Sequence, residues 1–186
     1  MAKLSVFMSV TLNGYFADLE GGLSWAHRQD SEWDDFVAGN ASGGGTLVFG
    51  RVTYEMMEQY WPTSMAYQNQ PVVAEQMNNR PKIVFSRTLE RATWNNTRLV
   101  KGDPAAAMQK IKEESDDMVI LGSGSIVTQL AEAGLVDEFQ IVVCPVVLSA
   151  GRPLFGGIKD RLDLKLIDSR SFSNGNVFLR YGAVGG

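Results

Sequence analysis

The chain has 186 residues, 45% of them hydrophobic and 20% charged. That is the composition of a globular domain with one substantial core, and it excludes a disordered or fibrous chain. With 17 Lys+Arg against 21 Asp+Glu the formal net charge is -4, so the chain lacks the cation excess that a general nucleic-acid or anionic-membrane surface needs to displace counterions. Its single cysteine, Cys144, and single histidine, His27, exclude an intramolecular disulfide and any zinc centre built from several Cys and His ligands, a zinc deaminase among them.

In chain order, the β-branched and apolar run 4–11 ends at Asn13-Gly14 and predicts a first strand and a turn. Residues 12–30 read as a long loop with a flexible Gly21-Gly22 pair, and a loop of that length in a small domain points to function. Ser31 can cap a helix that presents Trp33, Phe36 and Val37 on one face and stops at Gly39. The run 46–49 has the unbroken apolar pattern of a strand buried on both faces of a parallel sheet, and the helix after Gly50 is predicted to bury Val52, Met56 and Tyr60.

Residues 83–85 repeat the buried-strand pattern and 98–100 do so weakly. Asp103-Pro104 is a helix start, an N-cap followed by proline at the first helical position, and Met108 and Ile111 continue that helix. A further buried strand at 118–121 leads into a helix over 125–133 that Gly134 stops. From residue 137 the character changes: strands at 139–148, interrupted by Pro145, at 162–169 and at 177–181 follow without helices between them, and Ser173-Asn174-Gly175 suits a hairpin turn. Residues 1–186 therefore read as one α/β domain, mostly parallel with an antiparallel C-terminal hairpin. No apolar run approaches the roughly 20 residues of a membrane span, and 4–12 is short and Ser/Thr-studded for a signal peptide, so a cytoplasmic protein is expected.

Open α/β sheets bind ligands beyond the carboxyl ends of their strands, and three junctions there have suitable chemistry. At Gly50-Arg51-Val52-Thr53 a glycine lets the backbone approach a phosphate, a helix start supplies N–H groups and Arg51 adds a cation. Gly122-Ser123-Gly124-Ser125-Ile126 repeats the strand, small-residue, helix pattern, without the third glycine of a dinucleotide fingerprint. Ser86-Arg87-Thr88 follows the strand at 83–85 and could hold a phosphate monoester. Tight turns and capping serines are the structural alternative at each. Gly43-Gly44-Gly45 precedes a strand and is read as structural only.

Ser9-Val10-Thr11-Leu12-Asn13-Gly14, Phe49-Gly50-Arg51-x-Thr53, Val84-Phe85-Ser86-Arg87-Thr88, Leu121-Gly122-Ser123-Gly124 and above all Gly134-Leu135-Val136-Asp137-Glu138, leading to Pro145-Val146-Val147-Leu148 and Gly151-Arg152-Pro153-Leu154-Phe155, together resemble the dihydrofolate-reductase-like family. That family includes the reductase domain of the bifunctional riboflavin-biosynthesis deaminase-reductase, and the resemblance covers essentially the whole chain. It implies a mostly parallel sheet of about eight strands with helices on both faces and NADPH as hydride donor. By position it implies that Gly50, Arg51 and Thr53 hold cofactor phosphates, that Ser86, Arg87 and Thr88 hold the adenosine 2′-phosphate end, and that Gly122, Ser123, Gly124, Ser125 and Ile126 hold the pyrophosphate.

Trp25, followed five residues later by Asp30, resembles the loop tryptophan and active-site carboxylate of dihydrofolate reductase, whereas capping of the helix at Ser31 is the structural reading of Asp30. The chain departs from the riboflavin reductases at Met56-Met57 and at Leu121, where those enzymes carry acidic residues. A pterin-, pyrimidine- or ribosylaminouracil-like heterocycle all stay open as substrate, and no zinc deaminase domain accompanies the sequence, as expected of a stand-alone reductase. The competing readings are a non-catalytic NADP-binding module and a structural dimer with a vestigial pocket. A homodimer is expected through the apolar C-terminal region, residues 139–148 and Leu154-Phe155.

Overall fold

Burial on both faces is what makes the central strands read as unbroken apolar runs. In the computed structural model, which describes residues 1–184, all five residues of β3 (Thr46–Gly50) and all four of β4 (Lys82–Phe85) are buried. The remaining elements are β1 (Leu4–Thr11), β2 (Tyr15–Ala17), α1 (Ser31–Ala41), α2 (Arg51–Tyr60), α3 (Ser64–Asn69), α4 (Pro71–Asn79), β5 (Thr97–Val100), α5 (Pro104–Glu114), β6 (Met118–Ile120), α6 (Gly124–Glu132), β7 (Glu138–Cys144), β8 (Arg152–Pro153), β9 (Leu164–Ser171) and β10 (Val177–Ala183).

Eight strands form one sheet in the order β5-β4-β3-β6-β1-β7-β10-β9, and β2 pairs with β8 beside it. Strands β5 to β7 of that order are parallel, and β10 alone runs against its neighbours. Side chains alternate across the sheet. Leu4, Val6, Met8, Val48, Ile83 and Phe139 accordingly pack against Met108 and Ile111 of α5 and Ile126, Val127 and Leu130 of α6 on one face. Leu47, Phe49 and Val84 face α2 to α4 on the other, beside a third cluster in which Trp33 of α1 meets Val142, Cys144, Phe172 and Phe178.

Several sequence expectations are corrected. The loop 12–30 contains β2 and a single 3-10 turn, Ser24–Ala26. Helix α1 is capped by Asp30, one residue earlier than Ser31, and runs through Gly39 to Ala41. It ends at Ala41 with Ser42 as its C-cap, and Gly44 and Gly45 follow with φ of 76° and 82°, which glycine adopts without strain. Helix α2 buries Thr53 and Tyr54, whereas Val52 and Met56 are 51% and 39% exposed. Its start is held by the sheet edge, and Tyr54 packs against Phe49 and Trp94 with ring centroids 6.3 and 6.1 Å apart. Helices α3 and α4 were not anticipated, although Thr63 at the N-cap and Pro71 at the first helical turn are their starting signals. Strand β7 stops at Cys144, because Pro145 has no N–H for the ladder. Its residues Phe139, Ile141 and Val142, with Leu154, are core. Val147 and Phe155 of the expected region stay exposed, at 63% and 40%, and a longer exposed apolar run lies on β9, where Leu166 and Ile167 are 51% and 50% exposed.

Lys82 is 1% exposed in β4. Its Nζ donates to the carbonyls of Asn78, Arg80 and Asn95 at 2.9–3.0 Å and sits 4.5 Å from the centre of the Trp94 ring. Burial, with Arg80 nearby, lowers its pKa to about 8. Lys82→Met leaves three acceptors without a donor and is expected to destabilise the fold by roughly 2–4 kcal/mol in urea unfolding. Below pH 8 both states carry the charge; between about 8 and 10.5 the unfolded chain keeps a proton that the folded chain has released. The contribution of this lysine therefore makes stability rise with pH across that window, and the rise should vanish in Lys82→Met.

Candidate active site

Strand β6 lies between β3 and β1, so the chain leaves the carboxyl ends of β3 and β6 side by side. Gly50 N–H donates to the Gly122 carbonyl at 2.8 Å. A Cβ on Gly50 would lie 2.7 Å from Ser123 Oγ and 3.0 Å from Ile126 Cγ1. One on Gly122, whose φ is 126°, would lie 2.7 Å from Thr53 Oγ1. One on Gly124 would lie 2.5 Å from Phe16 Cε1. The two glycine junctions chosen from sequence thus interlock, and the loop after β1 closes over the second.

The helices that start there are unusual in their caps. Asp30 Oδ1 accepts from Trp33 N–H at 2.9 Å, Thr63 Oγ1 from Ala66 N–H at 3.3 Å and Asp103 Oδ1 from Ala106 N–H at 2.7 Å, capping α1, α3 and α5. Neither α2, with Gly50 at its N-cap, nor α6, with Ser123, has a side-chain cap; α4 also has none, but begins at Pro71. Ser123 Oγ instead shares a 3.0 Å hydrogen bond with Ser125 Oγ. Two adjacent helix starts without side-chain caps present N–H groups and positive dipole ends side by side, an arrangement whose chemistry suits an anion.

The third junction borders the same ground. A cleft of about 260 Å³ is lined by Phe85, Ser86, Arg87, Gly102, Pro104, Ile126 and Gln129. Ser86 Oγ accepts from the N–H groups of Thr88 and Leu89 at 3.2 and 2.9 Å, which leaves its hydroxyl proton to give. Among the described residues Arg87 makes no ion pair, whereas Arg51 is held by Glu55 at 2.8 Å within its own helix. Such an exposed pair is worth little and can be exchanged for a phosphate. Gly102, Pro104 and Gln129 were not among the residues expected here. The end-of-strand rule applied to the weak strand β5 finds the first two, and nothing in the sequence marks Gln129.

Asp30 and Trp25 lie on the same edge of the sheet but across β1, beside the cluster of Trp33, Phe172 and Phe178. Asp30 Oδ2 also accepts a hydrogen bond from Ser173 Oγ. That bond first, and the N–H of Trp33 second, hold the carboxyl below its ordinary range. Asp30 thus caps α1 as an ionised carboxylate. Trp25 Nε1 is buried without a partner, and an orphaned indole N–H is a donor waiting for an acceptor.

The model of the RibD C-terminal domain matches residues 2–178. The chain belongs to that family. It is 30% identical over 181 residues to YyaP of Bacillus subtilis strain 168, covering 96% of this chain and 94% of that one. The structure of a Shewanella sp. PV-4 protein, provisionally assigned to riboflavin biosynthesis, superposes with a TM-score of 0.79 at 25% identity over 100% of both chains. Dihydrofolate reductase from Enterococcus faecalis, complexed with NADP(H), superposes with a TM-score of 0.67 at 16% identity over 97% of this chain and 96% of that one. This last likeness is one of fold, and the eight-stranded dihydrofolate-reductase-like sheet expected from sequence is the one observed.

Gly50→Ala should cost roughly 1–3 kcal/mol in thermal unfolding, because the new methyl meets Ser123 and Ile126 in a packed junction. Removing the facing hydroxyl in Gly50→Ala/Ser123→Ala should recover part of that loss. Strict additivity of the two substitutions would show that the junctions do not press on one another.

Proposed function

We propose that this chain is an NADPH-dependent reductase of a small, planar, unsaturated heterocycle. The observation that carries the proposal is the pair of uncapped helix starts, α2 and α6, locked together by Gly50 and Gly122 beside the cleft that Ser86, Arg87 and Ile126 line. On this reading the N–H groups at Arg51 to Thr53 and at Gly122 to Ser125 would hold the two bridging phosphates, and Ile126, whose N–H already donates to the Ser123 carbonyl at 3.1 Å, lines the cleft beside them. The cleft takes the adenosine end, and Arg87, Ser86 and Thr88 face its 2′-phosphate. NADPH, when bound, supplies the hydride.

The residues across β1 complete the site. Asp30, ionised, accepts hydrogen bonds from ring or amino N–H groups of the substrate, and the Trp25 indole N–H donates to its carbonyl oxygen. A carboxylate held below its ordinary pKa stores no proton at neutral pH, so Asp30 orients the substrate, and the proton that follows the hydride onto C=N or C=O is relayed from solvent. Met56-Met57 and Leu121 stand where the riboflavin reductases carry acidic residues, which favours a pterin- or pyrimidine-like ring over a ribosyl phosphate.

The cofactor claim is tested by titration. Charged hydrogen bonds to the 2′-phosphate, at about 1.5–3 kcal/mol each, should make NADPH bind at least about tenfold more tightly than NADH. Equal dissociation constants would sink it. Oxidation of NADPH across a panel of heterocycles tests the reaction, and Asp30→Asn, which removes the charge that orients the ring, should depress turnover by roughly 10–100-fold while leaving NADPH affinity alone. Saturable NADPH protection against unfolding with no turnover of any ring would favour the non-catalytic module instead.

The same chain is proposed to form a homodimer through β9. All eight residues of β9 are exposed, its outer edge is unpaired, and Leu164, Leu166 and Ile167 give it an apolar surface. A long exposed edge of that kind is covered in most proteins. Light scattering at micromolar concentration should give twice the 20.4 kDa chain mass, and Ile167→Lys should return the monomer.

A further inference from the structure

The turn joining β9 to β10 is packed onto the start of α1. Phe172 lies with its ring centroid 5.0 Å from Trp33 and 5.1 Å from Phe36 and is 5% exposed. Asn174 Nδ2 donates to the Arg28 carbonyl at 3.4 Å, and Asn174 Oδ1 accepts from Asn176 N–H at 2.9 Å, so the turn grips the loop before α1 and braces itself. The next backbone bonds, Phe172 N–H to the Asn176 carbonyl at 2.9 Å and Gly175 N–H to the Phe172 carbonyl at 3.0 Å, close the turn. Ser173 is thus carried to Asp30 on a rigid support, 143 residues away in sequence.

We infer that Ser173 is the positioning residue for Asp30, its hydroxyl fixing the rotation of the carboxylate toward the substrate side. The helix cap alone anchors only Oδ1 and leaves the carboxylate free to tilt about that contact. The hydroxyl of Ser173 anchors Oδ2. Both donors favour the ionised form, and the Ser173 bond is the larger cause of the lowered pKa. The charged groups around Asp30 do not replace it. On α1, Glu32 is held by Arg170 of β9 at 2.6 Å, and Asp34 makes no ion pair among the described residues. In the preceding loop His27 also makes none, and Arg28 donates to the Pro145 carbonyl at 3.4 Å. The hydrogen-bonded hydroxyl, not an ion pair, is therefore the larger of the contacts that favour the ionised carboxylate.

This inference rests on the reading of Asp30 as the substrate carboxylate, and its test has one readout that needs no substrate. Carbon-13 NMR titration of the Asp30 carboxyl in the free protein should give a pKa below the ordinary Asp range in the parent. In Ser173→Ala it should rise toward that range, and in Ser173→Thr, which keeps the hydroxyl, it should return. An unchanged titration in Ser173→Ala overturns the inference. The Phe172 packing is untouched by both substitutions, so the fold persists in each. For whichever ring of the heterocycle panel is turned over with NADPH, the acid limb of kcat/KM should move to higher pH in Ser173→Ala and move back in Ser173→Thr. A limb that stays fixed while the titration moves overturns the catalytic consequence. If no ring is turned over, the reductase reading fails, and the titration alone decides whether Ser173 governs Asp30.

Discussion

The contact between Gly50 and Gly122 is the constraint on which the rest of the molecule turns. After β3 the chain goes outward through β4 and β5 and then returns to place β6 against β3. The two carboxyl ends consequently meet, and any side chain at either glycine would occupy the space of Ser123, Ile126 or Thr53. Because they meet, helices α2 and α6 begin as neighbours on opposite faces of one sheet, with α2 to α4 covering one side and α5 and α6 the other. The site is thus a by-product of topology: two helix starts are brought together by strand order before any side chain takes part.

The elements that were legible in the sequence are those whose local pattern and tertiary setting agree. The apolar runs of β1, β3, β4 and β6, the Asp103-Pro104 start of α5 and the Gly134 stop of α6 all read correctly, because burial on both faces or an N-cap leaves the same residues whatever lies next to them. The face of α2 did not read correctly. Its apolar periodicity ran through Val52, Met56 and Tyr60, but the interlock had already fixed the rotation of its first turn, pointing Thr53 at Gly122 and Tyr54 into the box of Phe49 and Trp94. Tertiary packing overrides periodicity in a helix of ten residues. The buried residues of β7 were likewise legible as apolar but not as core, since a surplus of apolar residues in a sequence does not say which strand is left at the edge.

For the candidate site, chemistry at the three strand ends was visible and its arrangement was not. The motif residues at 50–53 and 122–126 announce small side chains at helix starts, but only the sheet order shows that they are adjacent. Gln129 entered through the return of α6 past the end of β4, and Ser173 through the hairpin turn on the far edge; the sequence marks Ser173 as a turn residue only and Gln129 not at all, because each owes its place to contacts with residues distant in sequence. Arg51 illustrates the converse. Its type and position suit a phosphate, and the structure pairs it with Glu55, its neighbour one helical turn on.

Capping and chemistry had appeared as rival readings of Asp30, and the geometry makes them compatible. A carboxylate offers about four lone-pair directions; here Trp33 N–H takes one on Oδ1 and the Ser173 hydroxyl one on Oδ2. Two remain for a ligand, and the two already used hold the group charged and still. The cap also points the rest of the carboxylate away from the helix that it begins. A helix of eleven residues with Trp33 and Phe36 packed under the hairpin is a stiff mount, so an acidic residue at its N-cap is better placed to meet a substrate than the same residue on the loop behind it. The other capped helices lack this combination: Asp103 caps α5 through one oxygen and makes no second side-chain bond among the described residues. What sets the Asp30 cap apart is that its second partner is a side chain, where that of Thr63 is the Tyr60 carbonyl, and that side chain comes from the last hairpin of the chain.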